Sequence, residues 1–145
     1  MFRLLEAQRF RQVFGQEVLP NISHYGFIKK QLWDMQLNLI EEEAAEFLEA
    51  ADEVFADPEN DKRRHELVKE LCDLVFVCYQ FAATYNIDLD EALRRVFESN
   101  MSKLDESGKP IYREDGKVLK GPNYEAPDLN GLYPNSNTHY DTNGK

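Results

Sequence analysis

The chain has 145 residues, 42% of them hydrophobic, which suits one domain with a real core. Its 17 Lys and Arg against 27 Asp and Glu leave a formal charge of −10, which disfavours a nucleic-acid binder or a protein held to an anionic membrane. No apolar run approaches a membrane span, the start "MFRLLEAQRFRQVF" lacks the h-region of a signal peptide, and Cys72 and Cys78, six residues apart on one helix, cannot readily bridge each other, so the expectation is a cytoplasmic protein.

In chain order, a first amphipathic helix is expected from Phe2 to about Phe14, with Leu5, Phe10 and Phe14 among its apolar residues and Gly15 closing it. A loop through Pro20 and Asn21 follows. The second helix should run from about Phe27 to Phe55 and stop at Asp57-Pro58, with Asp61 capping the third. That third helix, about Lys62 to Thr84, carries Leu67, Leu71, Leu74, Cys78 and Phe81 at helical spacing. Asp88 is the expected N-cap of a fourth helix reaching roughly to Lys103. Four helices with short connections imply an all-α antiparallel bundle. Beyond Leu104, "ESGKP" reads as a loop, and "IYREDGKVLKG" reads as a hairpin with a two-residue Asp-Gly turn, an arm that needs support from the bundle or a second chain. Residues 1–129 are read as one domain and 130–145 as a loose tail.

Charge is unevenly placed. No Lys, Arg or His occurs from Gln31 to Asp61, where eleven acids fall, whereas Lys103 to Lys120 holds five basic residues against four acidic ones. On the second helix Glu43 falls inside the apolar stripe of Leu32, Leu39 and Ala50, with Glu46 and Glu42 at its margin; Glu41 and Asp52 point elsewhere. On the third, Glu70 lies between Leu74 and Val77, and Asp73 sits just outside them. Taken alone, the acidic run is a solvated face of good helix formers. Paired with "ELCD" on the next helix, it becomes a common interior boundary lined by carboxylates, and buried carboxylates persist by protonating, pairing or binding metal. Lys62, Arg63 and Arg64, more than a turn from Glu70, do not neutralise them. An all-oxygen ligand set selects a hard ion, Mg²⁺ or Mn²⁺. Zinc lacks a Cys or His pair at ligand spacing, and a di-iron bundle needs Glu-x-x-His, which His24, His65 and His139 do not complete.

"EEAAE" from Glu42 to Glu46 and "ELCD" from Glu70 to Asp73 resemble the EExxE and ExxD signature of the all-α nucleoside triphosphate pyrophosphohydrolases, the MazG-like and phosphoribosyl-ATP pyrophosphatase-like proteins. "FRQVFG", "NMSK" and "REDGKVLKGPNYEAPDL" are similar to the small MazG-like branch. The resemblance, over about Phe10 to Leu129, implies a helical bundle that completes its site as a homodimer or homotetramer. It implies Glu43, Glu46, Glu70 and Asp73 as first-metal ligands, with Glu42 holding further metal or orienting the attacking water. It also implies phosphate contacts from Asn100 and Lys103, with Arg113, Lys117 and Lys120 helping. The implied reaction converts a (deoxy)nucleoside triphosphate to the monophosphate and pyrophosphate.

The chemistry is consistent on its own terms. An acidic pocket repels a triphosphate unless divalent ions, more than one per site, stand between them, and no Ser, Cys or His nucleophile is then required. No Walker-A loop is present. Bland alternatives stand beside each assignment: Asn100 and Lys103 as C-terminal caps, Lys117 as a cross-strand partner of Glu114, and Trp33, Tyr112 and Tyr124 as packing rather than base-stacking rings. Phosphoribosyl-ATP hydrolysis uses much the same carboxylates and is the second enzymatic reading. A non-catalytic acidic interaction protein is the third.

Overall fold

The computed structural model describes residues 3–18 and 30–132. Among these the regular elements are four helices, α1 (Arg3–Val13), α2 (Lys30–Ala56), α3 (Asp61–Thr84) and α4 (Leu89–Met101), so the fold is all-α. Contacts divide the chain into two compact units, one ending at Ile87 and one spanning Asp88–Leu132. The expected loop at Pro20, the helix start at Phe27 and most of the tail lie outside the described residues.

In the first unit α1, α2 and α3 pack as a bundle. The α2–α3 turn brings the Arg63 guanidinium to the Glu53 carbonyl at 3.1 Å, while at the other end Trp33 meets the rings of Phe81 and Tyr85 at 5.2 and 5.1 Å. Early residues of α2 thus face late residues of α3, as an antiparallel pair requires. Asn60, not Asp61, caps α3, its side-chain oxygen accepting from the Arg63 amide. Asp61 is the first helical residue instead, where its charge still suits the helix dipole.

The helix faces differ from the apolar stripes read in sequence. On α1, Leu5 and Phe14 are exposed, whereas Ala7 and Arg11 are buried. Arg11 is 1% exposed and satisfied, donating to the Glu17 carbonyl, Gln16 and Gln80. On α3 the buried residues include Glu70, Val77, Tyr79, Gln80 and Thr84, while Leu71 is exposed. Ala50, Ala82 and Ala83 are also buried, small residues that let helix backbones approach closely.

In the second unit the chain after α4 folds back along it. Ser99 and Ser102 hydroxyls donate to the Glu125 carbonyl, and the Glu125 amide donates to Ser102 Oγ. Arg95 donates to the carbonyls of Asp128 and Asn130, and the Asp88 amide donates to the carbonyl of buried Leu132. Asn130–Leu132 therefore belong to this unit. The hairpin is present as a short antiparallel pairing of Tyr112 with Val118. Its loop has three residues rather than two: the Arg113 amide bonds the Lys117 carbonyl, the Gly116 amide bonds the Arg113 carbonyl, and Gly116 takes φ +84°. Glu114 and Asp115 stand at the centre of the turn and the left-handed Gly116 closes it, an arrangement suited to a three-residue loop.

Candidate metal and phosphate sites

Helical spacing and antiparallel packing together build the acidic site. Glu43 and Glu46 share the α3-facing side of α2, Glu70 projects from α3, and oxygens of the three lie within 4.8 Å of one another. Glu70 is 6% exposed, Glu43 is half-buried and Glu46 is more open. Among the described residues, Glu43 Oε2 and Glu70 Oε2 are buried and accept no hydrogen bond. Glu43 is raised above the ordinary carboxylate range, first by loss of water and then by the charges of Glu46, Asp73 and Glu70. Glu46 is raised for the same reasons, with Glu70 its main charged neighbour.

Asp73 stands beside the trio. Its link is Lys69, whose ammonium lies 2.8 Å from Glu70 Oε1 and 3.1 Å from Asp73 Oδ2. Lys69 holds Glu70 below the ordinary carboxylate range and is itself raised by the same contacts. The expectation that no basic residue neutralises the acids is therefore corrected: Lys69, not Lys62, Arg63 or Arg64, is the cation in the cluster. Its place immediately before Glu70 and one turn before Asp73 was the available signal, since i,i+4 side chains on a helix meet. Glu42 is exposed and contributes to raising Glu46.

The residues expected at phosphates, Asn100 and four basic side chains, lie in the second unit, and the structure gathers three of the five. Lys103, Lys117 and Lys120, with Val118 and Leu119, line a pocket of about 500 Å³. Gly121 makes this possible: a Cβ there would lie 2.2 Å from the Leu104 carbonyl oxygen and 2.7 Å from that of Lys103. Lys120 also covers the Tyr124 ring at 4.2 Å. Arg113 is instead engaged by Asp115, at 2.9 Å from Nε to Oδ1. Asn100 is exposed, and the residue that α4 buries beside it is Ser99. Trp33 packs against Phe81 and Tyr85 as a structural ring.

A family model described as phosphoribosyl-ATP pyrophosphohydrolase matches residues 7–100, which takes in the later part of α1, all of α2 and α3, nearly all of α4 and all the acidic residues of the site. The chain belongs to the phosphoribosyl-ATP pyrophosphohydrolase family. No curated protein matches it. Membership of this family assigns the chain to pyrophosphohydrolases that act on a nucleotide. The donor chemistry fits a metal-assisted version of that reaction: only oxygen ligands converge, and two of them are buried with unused lone pairs. Among the described residues, no helix is long and apolar enough to cross a membrane.

Proposed function

We propose that the protein is a Mg²⁺- or Mn²⁺-dependent pyrophosphohydrolase that cleaves a (deoxy)nucleoside triphosphate to the monophosphate and pyrophosphate. The observation that carries this reading is the convergence of Glu43, Glu46 and Glu70, with two oxygens buried and unpartnered. Glu43, Glu46, Glu70 and Asp73 would hold the first ion. Glu42, exposed at the margin, would orient the attacking water or help hold a second ion. Bound divalent ions supply neutralisation of the phosphate chain and a more acidic water. Lys103, Lys117 and Lys120 provide cations of the kind that stabilise charge on departing pyrophosphate, with Asn100 and Arg113 as further candidates. In the reaction water oxygen bonds the α-phosphorus, the bond to the bridging oxygen breaks, and pyrophosphate leaves.

An apolar-lined pocket in the first unit, about 530 Å³, has Phe76 and Tyr79 in its wall and Asp73 at its edge, a suitable place for a nucleoside. We extend the domain beyond the matched segment to take in the lysine pocket, and place its end at Leu132 rather than at the expected 129, because Asn130–Leu132 are bonded into the second unit. Exposed Leu48, Phe55 and Val68 support burial of α2 and α3 surface in a homodimer or homotetramer. The family match favours phosphoribosyl-ATP as the second substrate reading.

The deciding experiment measures pyrophosphate release from canonical and modified nucleoside triphosphates and from phosphoribosyl-ATP, with Mg²⁺, Mn²⁺ or chelator, for the wild type and folded Glu46→Gln. Metal-dependent release from a triphosphate, abolished by the substitution, is expected. Release from phosphoribosyl-ATP alone would replace the substrate and keep the site. No metal binding and no release would leave an acidic interaction protein.

A further inference from the structure

Lys69 is the one cation that the described chain places among these carboxylates, and its geometry is specific. Its ammonium bridges Glu70 and Asp73, the two members of the acidic set that α3 supplies. Glu43 and Glu46 face the same space from α2. One positive charge cannot satisfy four carboxylates: Glu43 Oε2 and the second oxygen of Glu70 remain buried without a partner. The Lys69 side chain is 51% exposed, against 7% for Glu70. Its ammonium can therefore swing to water on its flexible stem, whereas the Glu70 carboxylate cannot.

We propose that Lys69 is a resident counter-cation, which holds Glu70 and Asp73 in place in the metal-free chain and gives up that place when a divalent ion enters. The inference rests on the metal reading above and adds a competitor to it. A flexible ammonium is exchangeable in a way that a bidentate guanidinium is not. Lys69 thus keeps the site assembled before loading and lowers its affinity for metal. It is a positioning residue; it takes no part in the chemical step.

The test is Mn²⁺ binding to the full chain, followed by electron paramagnetic resonance of free Mn²⁺ and by calorimetry, together with the thermal midpoint in chelator. Wild type is compared with Lys69→Met, Lys69→Gln, Lys69→Arg and the control Lys62→Met, which removes an equal charge about two turns away on the same helix. Lys69→Met is expected to bind Mn²⁺ on the order of tenfold more tightly while melting at a lower temperature in chelator. Lys69→Gln serves the same comparison should the methionine variant fail to fold. Lys69→Arg, whose guanidinium is harder to displace, should bind Mn²⁺ more weakly than wild type, and Lys62→Met should leave affinity unchanged. Unchanged or weaker binding in both neutral variants overturns the proposal, as does equal tightening by Lys62→Met, which would reveal a general charge effect. A wild type that binds Mn²⁺ while the Lys69 variants match it rejects the counter-cation alone. A wild type that binds none rejects the metal reading as well.

Discussion

Glu43 shows how a single residue carries conflicting demands. Its folded-state carboxyl is raised, so the protonated form is favoured by the fold; the associated stability is present at low pH and lost as pH rises through the raised value. Glu70 is lowered, so its contribution has the opposite sign, present above the ordinary carboxylate range and lost as pH falls through the folded value. Glu43→Gln should therefore raise the melting midpoint in chelator at neutral pH by about 2–4 °C. The gain should shrink as pH falls through the raised Glu43 pKa, and calorimetry across pH 4–8 in chelator checks this sign. The same variant should lose any stabilisation by Mg²⁺, because a metal ligand has gone. Gly121 is the second residue on which much depends. A Cβ there would stand 2.2 Å from the Leu104 carbonyl oxygen, so its absence is what lets the arm pass that close to the carbonyl. Gly121→Ala should lower amide-exchange protection at Leu119 and Glu125 by at least about tenfold, with the amides of α3 unaffected.

At the scale of elements, α2 and α3 place the acids, and the segment that follows α4 places the lysines. Position 43 was legible as an inward carboxylate because it sits on the apolar stripe of α2. On α3 the expectation is met in part: Glu70 and Val77, read beside Leu74, are buried, whereas Leu71 of the expected stripe is exposed and Thr84 is buried at the far end. The start of α3 was misplaced by one residue, because Asn60 and Asp61 are both good caps and only backbone geometry chooses between them. Asn60→Ala should cost about 1 kcal/mol in urea unfolding, and Asp61→Ala only a few tenths. In the second unit, Lys103, Lys117 and Lys120 converge although the first follows the end of a helix and the other two follow the hairpin turn. Replacing Lys117 and Lys120 together with alanine should raise KM for the nucleotide on the order of tenfold without altering Mn²⁺ affinity, as steady-state kinetics and metal titration would show.

For the molecule as a whole, the described residues of the first unit bury few large apolar side chains and leave Leu48, Phe55 and Val68 at 62%, 90% and 60% exposure. A chain with that surface should sediment as a dimer or tetramer, and Leu48→Glu with Val68→Glu should shift it towards monomer in analytical ultracentrifugation. Sequence alone determined the all-α class, the near extents of the helices, the acidic residues and the kind of ion they suit, because helical periodicity and ligand chemistry are local properties. The family resemblance read from EExxE and ExxD agrees with the match to residues 7–100. Tertiary structure decided which oxygens meet, which stay without a partner, that Lys69 stands among them, and that Arg113 is occupied by Asp115 while three lysines share a pocket. Those outcomes depend on the register between α2 and α3 and on a backbone approach at Gly121. Neither is written in the spacing of one helix, because both arise only when separate segments compete for the same space.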